Sequence, residues 1–369
     1  MPTRISSGVI KVATSKRSLL VQPLETVKTE RLQWAWEDTI PLGVVSLLGG
    51  RAGIGKSTFL AWLTSQVTNG TLQGDFKGSP RQVTFVAGED DLARVLVQRL
   101  QAAGANLANV NAISARQDES DGTHWVSMPN VRQDLGDMKE VLYESGTGLL
   151  IIDPLSATME GDTNSEQVVR SQLGRLAHLA GEMNIAVLAV KHWHKGAGES
   201  IDRISGSHGF TDIVRSVLQL VPDEDTNQLI LTADKNNYGP KKPSFAFRLD
   251  TVDVPIDAGE SNAVGKAVFL GETETRVSDI LKRESEDNLG DTNKTILEHL
   301  RTHGASGADD ISRSTGIPAP KVRTYLDRLK NSGHVERTAR GVYTPVGSVT
   351  TVKSDLTNIT ELTPLEGIA

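Results

Sequence analysis

The chain has 369 residues, a net charge of −7 and an apolar content of 38%, which is enough for one large domain and a smaller one. It contains no cysteine. Disulfide frameworks, thiolate metal sites and cysteine nucleophiles are therefore excluded, and a reducing cytoplasm is the expected location. No apolar run approaches the roughly 20 residues that a membrane span needs, so we expect neither export nor a membrane partner.

Charge and composition predict several segments along the chain. Residues 291–345 carry nine Lys and Arg against six Asp and Glu, a balance of +3, whereas the other residues sum to −10. This asymmetry points to a nucleic-acid module near the C-terminal end. The predicted segments are a flexible arm (1–30), a large α/β domain (31–270), a polar linker with some helix (271–290), a small domain (291–345) and a disordered tail (346–369).

The most specific motif is a phosphate-binding loop of the form G-x-x-x-x-G-K-[ST], which runs from Gly50 to Ser57. An apolar strand precedes it and a helix follows it, as the motif requires. Its backbone N–H groups would cradle phosphates at a helix N-terminus, with Lys56 on the β- and γ-phosphates of ATP and Ser57 on Mg²⁺. The predicted nucleotide-binding residues are Gly50, Arg51, Ala52, Gly53, Ile54, Gly55, Lys56, Ser57 and Thr58.

Short apolar strands alternate with helices after this loop. The strands cover residues 83–87, 149–152 and 185–190, and the helices cover 92–103 and 168–183. This alternation predicts an α/β fold with a mostly parallel sheet that helices cover on both faces. Segments 214–220, 228–233 and 244–249 read as added antiparallel strands.

Polar residues follow the apolar strands, where ligands bind in such sheets. Asp153 would hold Mg²⁺ opposite Ser57. Glu89 would orient or deprotonate the water that attacks the γ-phosphate, whereas Asp90 and Asp91 fit better as acids at the start of the next helix.

His192 ends the strand 185–190, and we expect its side chain to sense the γ-phosphate. The spacing of His192 and His194 would also suit a metal pair, but no further ligands lie close by in the sequence.

These motifs together resemble the RecA-type ATPases related to plasmid RepA replicative helicases. The resemblance covers roughly residues 31–250 and implies a RecA-like P-loop NTPase fold. It implies that Glu89 is the catalytic glutamate, that His192 follows the fourth strand as the family's histidine, and that Arg215, which ends a G-S-x-x-x-x-D-x-x-R run, is an arginine finger. Arg203 is the alternative finger.

An arginine finger acts on the nucleotide of the neighbouring subunit, so the resemblance implies a homo-oligomer, most simply a hexameric ring. Related ring helicases carry K-x-R at the turn that here begins with Lys235, and their lysine also reaches across the subunit boundary. Position 237 is Asn, so the second cation is missing from this turn. Lys235 could instead be an ordinary turn lysine.

The loop 195–203 corresponds to the segment that lines the central channel of RecA-type rings and grips single-stranded DNA. Its charges nearly balance, so a flexible surface loop without DNA contacts fits the sequence equally well.

Residues 291–345 predict helices over 292–302, 306–313 and 319–332, followed by a hairpin. This pattern resembles a winged helix-turn-helix, whose third helix would enter the major groove of duplex DNA. Arg337 and Arg340 would contact the DNA backbone. Winged helices also mediate protein contacts, which is the alternative.

The sequence therefore predicts an ATP-hydrolysing DNA motor, a replicative helicase of a plasmid, phage or other mobile element. One alternative is an ATP-dependent DNA-binding or loading protein that unwinds nothing. Another is a DNA-binding regulator whose ATPase activity is secondary.

Overall fold

The computed structural model describes residues 3–4, 10–13, 18–88, 90–118, 123–193, 209–239, 243–256, 259–287, 290–331 and 333–346. Glu89, the loop 195–203 with Arg203, His194 and tail residues 347–369 lie outside the described residues. Contacts along the chain separate two compact units, Met1–Ile280 and Leu281–Ala369.

The first unit is built around one large sheet, and five short described strands, which form two small sheets, precede it along the chain. Its strands are β1 (Thr3–Arg4), β2 (Ile10–Ala13), β3 (Ser18–Val21), β4 (Trp34–Trp36), β5 (Ile40–Pro41), β6 (Val45–Gly50), β7 (Gln82–Ala87), β8 (Val110–Ala112), β9 (Ala115–Asp118), β10 (His124–Ser127), β11 (Thr147–Asp153), β12 (Ala186–His192), β13 (Ser216–Asp223), β14 (Gln228–Asn236), β15 (Ser244–Pro255) and β16 (Ser261–Glu272). Its helices are α1 (Lys56–Thr68), α2 (Val97–Ala103), α3 (Leu135–Glu144), α4 (Glu166–Met183) and α5 (Gly209–Ile213).

Among the described residues, the large sheet has nine strands in the order β16-β15-β14-β13-β6-β12-β11-β7-β8. All pairs from β13 to β8 are parallel, and the pairs from β13 to β16 are antiparallel. The predicted α/β class with a mostly parallel sheet is therefore confirmed. Antiparallel strands extend it on one side, in the segments that the alternation indicated.

Two apolar cores lie on opposite faces of the sheet. Phe59 and Leu63 of α1 pack on one face, and Leu173 and Leu176 of α4 pack on the other. Because both faces are covered, the central strands are buried along their length, which explains their continuous apolar sequences.

Several elements were not predicted. Residues 104–148 and 250–270 show no clear pattern in the sequence, and the structure has β8 to β10, α3 and β16 there. Strands β9 and β10 are largely exposed, so they lack the apolar signal that burial produces. Within the predicted flexible arm, β1, β2 and β3 pair as an antiparallel sheet. The linker 271–290 was expected to contain some helix, and α6 (Val277–Asp287) lies within it.

The second unit contains α7 (Asp291–His303), β17 (Ser306–Gly307), α8 (Ala308–Thr315), α9 (Ala319–Asn331), β18 (Val335–Ala339) and β19 (Val342–Pro345). Its small sheet has the order β17-β19-β18, and Leu300, Ile311, Val322 and Leu326 form the centre of its core. Helix α8 begins two residues later than predicted, because Ser306 and Gly307 pair with β19 instead.

None of the described helices has the length and apolar character that crossing a membrane requires.

Candidate functional site

The phosphate-binding loop connects β6 to α1, as the motif predicts. Gly53 and Gly55 have φ angles of 76° and 100°, in the left-handed region that favours glycine. At Gly50, a Cβ would lie 2.8 Å from the Leu220 carbonyl oxygen and 2.7 Å from Ile54 Cδ1. The loop thus depends on glycine both for its backbone angles and for its close packing.

Lys56 is held inside this loop. The residue is only 5% exposed. Its Nζ donates hydrogen bonds to the carbonyl oxygens of Gly50 at 3.2 Å and Arg51 at 2.7 Å. Nζ also lies 3.1 Å from His192 Nδ1. These three contacts fix the position of the ammonium group within the loop.

Sheet register brings the predicted residues together. In the parallel ladder His192 pairs with Gly50 and Asp153 pairs with Ala87, so both lie at the edge where the loop begins. Side chains two residues apart share a face of a strand. Because Ile151 and Val190 belong to the core on the α1 side, Asp153 and His192 also fall on that side.

A small pocket lies between α1 and this edge. Its polar lining residues are Ser57, Asp90 and Asp153, and its apolar ones are Leu60, Phe85, Ala87 and Leu96. A hydroxyl and two carboxylates are the oxygen donors that Mg²⁺ prefers, so this donor set fits the predicted metal. No cluster of three or more His, Asp or Glu that could hold a metal occurs in the described part of the chain.

The two acids after Glu89 in the sequence have different surroundings. Asp91 accepts a hydrogen bond from the backbone N–H of Arg94 at 2.7 Å and caps the turn Leu92–Leu96, as expected for an acid at a helix start. Asp90 instead forms an ion pair with Arg99 of α2. Asp91 therefore lies at a helix start, as expected. Asp90 was expected there too, but its side chain lines the pocket.

The residue after β12 ties that strand to the phosphate-binding loop. Trp193 donates its backbone N–H to the Gly50 carbonyl at 3.3 Å and its indole N–H to Gln219 Oε1 at 2.7 Å. The guanidinium of Arg51 lies 5.9 Å from the Trp193 ring centroid. A shift of Trp193 at the end of β12 would therefore change its contacts with Gly50 and Arg51 at the start of the loop.

Arg215 and Lys235 lie at the other edge of the sheet. Arg215 immediately precedes Ser216, which pairs with Ser46 near the start of β6. Gly50 is four residues farther along that strand, about 13 Å away. Lys235 pairs with Val217. Burial lowers the pKa of Lys235 most, the positive charge of Arg215 lowers it further, and Asp212 acts in the opposite direction. Because its charge affects Lys235, Arg215 lies near that lysine. They are not brought to the phosphate-binding loop of their own chain.

The hairpin of β15 and β16 lies beside the phosphate-binding loop, which the sequence patterns did not indicate. A Cβ at Gly55 would lie 3.1 Å from Leu249 Cδ1, and one at Gly265 would lie 3.6 Å from Thr58 Oγ1. The hairpin of β15 and β16 thus covers the start of α1, and Leu249 remains 45% exposed there. The alternation of Phe245, Phe247 and Leu249 was visible, but its partner strand β16 was not recognised.

Two protein-family models match the chain. Residues 13–198 match the model of the AAA domain, which covers half of the chain. Residues 292–344 match the model described as FaeA-like protein.

Several curated relatives carry the name DNA repair protein RadA. The chain is 26% identical to the one from Chlamydia muridarum over 215 residues, which is 57% of this chain and 40% of that protein. It is 25% identical to the one from Aquifex aeolicus over 257 residues, which is 66% of this chain and 50% of that protein. The matched region thus spans half or less of these relatives' length.

Proposed function

Since the chain belongs to the AAA domain family and has the fold of a RecA-like P-loop NTPase, we propose that it is an ATP-hydrolysing motor that acts on DNA. The observation that carries this proposal is the contact of Lys56 with His192 inside the phosphate-binding loop. It joins the residue expected to bind the γ-phosphate to the residue expected to report its presence. The relatives named DNA repair protein support the DNA part.

Binding rests on groups that this chain supplies. Backbone N–H groups of residues 50–57 and the N-terminus of α1 bind the phosphates, and the Lys56 ammonium pairs with the terminal ones. Ser57 and Asp153 would hold Mg²⁺, which neutralises charge on the phosphate oxygens. The half-exposed Leu249 offers an apolar surface to the nucleoside.

Hydrolysis needs a water-orienting group and a cation. Glu89 is the proposed base from its place after β7. We expect Glu89→Gln to bind ATP and trap it, which a filter-binding assay with slow release would reveal. If Glu89→Gln turns over normally, Asp90 or Asp91 is the base.

Arg215 and Lys235 are the proposed cations, and their position makes the activity depend on assembly. They lie at the edge opposite the phosphate-binding loop, so they would serve the nucleotide of a neighbouring copy in a head-to-tail ring. A hexamer is the proposed ring. The loop 195–203 would line its channel and contact single-stranded DNA.

The second unit is proposed to be a winged helix-turn-helix that binds duplex DNA. Its order of three helices and a final hairpin supports this, as do four cationic residues of α9: Lys321, Arg323, Arg328 and Lys330. Arg323 forms an ion pair with Asp309 at 3.0 Å, so it would need to exchange that partner for a phosphate.

The finer proposal is a RepA-like replicative helicase of a plasmid, phage or mobile element. The second candidate is an ATP-dependent DNA-binding protein without unwinding activity; the relatives' name, DNA repair protein, fits either candidate. ATP turnover with and without single-stranded DNA, and displacement of a labelled strand, separate the two. We expect both activities, and their loss in Lys56→Ala but not in the surface control Lys139→Ala. DNA-stimulated turnover without displacement would favour the second candidate.

A further inference from the structure

Asp90 has a position that the proposed mechanism does not use. Its side chain lines the same pocket as Ser57 and Asp153 and forms an ion pair with Arg99 of α2. We propose that Asp90 is a further residue of the metal–nucleotide site, where it accepts a hydrogen bond from metal-bound water. Arg99 is the positioning residue that fixes it there. This inference rests on the proposed binding of Mg²⁺ and nucleotide at Lys56.

The surroundings of the pair favour a functional carboxylate. Asp90 and Arg99 are each 29% exposed at the side chain, and Leu60, Phe85 and Leu96 form apolar walls beside Asp90. A carboxylate in such a place is costly without a compensating partner, and Arg99 supplies one. Arg94, the cation near Asp91, is 87% exposed and 4.0 Å from it, so that pair is an ordinary surface contact.

The segment between Asp90 and Arg99 is unusual. Leu92–Leu96 forms a turn of π-helix, closed by the bond from the Val97 N–H to the Leu92 carbonyl. Such turns are rare and often occur at functional sites. The added residue rotates later side chains by about 100° relative to an uninterrupted α-helix. The direction in which Arg99 points therefore depends on this turn.

A second contact fixes α2 from the other side. Gln98, next to Arg99, accepts a hydrogen bond from Asn262 Nδ2 of β16 at 3.0 Å. The same strand carries Gly265, which lies against Thr58 at the start of α1. Adjacent residues of α2 thus contact β16 and the pocket residue Asp90. The Gln98 contact thus helps to fix α2, from which Arg99 reaches Asp90.

The chemistry of the bound ion explains the need for such a residue. Mg²⁺ gives up its waters reluctantly and usually keeps several when it binds with a nucleotide. Groups that hydrogen-bond to its ligands typically contribute 10- to 100-fold in metal affinity. An ionised carboxylate beside Ser57 and Asp153 can only accept hydrogen bonds, so it is matched to the protons of metal-bound water.

The test is the affinity of the full chain for a fluorescent ATP analogue, measured in Mg²⁺ and again in EDTA. Asp90→Asn should raise the Kd about 10- to 100-fold in Mg²⁺ and leave the Kd in EDTA unchanged. Arg99→Gln should act in the same direction, and Arg99→Lys should recover part of the affinity. Because the two residues act as one unit, the double variant should bind no more weakly than Asp90→Asn alone.

Matched controls are Arg94→Gln on the preceding turn and Asp137→Asn on α3, both exposed and expected to bind like the native chain. An Asp90→Asn chain that keeps native affinity in Mg²⁺ would overturn the proposal. So would an equal loss of affinity in Mg²⁺ and in EDTA, which would mean a structural role. Absence of any nucleotide binding by the native chain would instead overturn the proposed function.

Discussion

Lys56 Nζ lies 3.1 Å from His192 Nδ1, although the two residues are 136 positions apart. They meet because β6 and β12 are neighbours in the parallel sheet with Gly50 opposite His192. An ammonium group can only donate, so Nδ1 accepts the hydrogen bond and the ring proton of a neutral His192 is on Nε2.

This contact predicts the effect of His192→Ala. Hydrogen bonds to charged groups contribute about 1.5–3 kcal/mol, so we expect turnover to fall about 10- to 150-fold. Nucleotide affinity should change little, because Lys56 keeps its two carbonyl partners. Steady-state kinetics and nucleotide binding measure the two effects. His178→Gln, exposed on α4, is the control. A loss of binding as large as the loss of turnover would refute a sensing role.

Gly50→Ala tests the packing of the phosphate-binding loop. The new Cβ would lie 2.8 Å from the rigid Leu220 carbonyl oxygen, so the loop must shift. We expect nucleotide affinity to fall at least tenfold, as read from binding titrations.

Gly174→Ala is the matched control for that substitution. Nothing lies within 4 Å of a Cβ at this position in α4, and alanine favours helix over glycine. The free energy of unfolding should rise by about 0.5–1 kcal/mol in denaturant titrations, with nucleotide affinity unchanged. Equal affinity for the two alanine variants would show that Gly50 is not needed for packing.

Arg215→Ala should leave ATP binding intact and lower turnover a hundredfold or more, since arginine fingers supply about 10³–10⁵ in rate. Mixing it with Lys56→Ala provides the stronger test. Each variant alone should be inactive, whereas mixed assemblies contain interfaces that pair an intact Lys56 with a neighbour's intact Arg215. Turnover should therefore reappear on mixing.

The control for Arg215 is Arg248→Gln, an exposed arginine on β15 that pairs with Asp250 and should turn over normally. Near-native turnover of Arg215→Ala would refute the finger. Failure of the mixture to recover would argue against action across subunits.

The second unit should lose stability in mild acid through His299. Burial, and then nearby His303, lower the pKa of His299 from its ordinary value of 6.5, with Asp310 acting in the opposite direction. His299 thus binds a proton more tightly in the unfolded chain than in the folded one. Its contribution to the free energy of unfolding is fully present above pH 6.5 and falls as the pH drops below that value.

Thermal unfolding of the full chain between pH 5 and 8 checks this expectation. His299→Leu should flatten the pH dependence of the transition assigned to the second unit, whereas His178→Gln, exposed on α4, should not. An unchanged slope in His299→Leu would contradict the role of His299.

The sequence by itself determined the phosphate-binding loop and most of the central strands. Spacing of Gly50, Lys56 and Ser57 is a local property, and so is the length of an apolar run such as that of β11. Placement of Asp153 and His192 at one edge also followed, because parallel strands align their carboxyl ends.

Tertiary structure alone decided the contacts that depend on distant pairing. The contact of Leu249 with Gly55 depends on the register of β14, β15 and β16, and the last of these has no clear apolar pattern in its sequence. Asp90 and Arg99 pair across a π-helical turn that changes the phase of α2. Arg215 lies far from Lys56 because β13 runs parallel to β6 and begins at the opposite edge. Such relationships arise from packing between segments, which local sequence patterns do not encode.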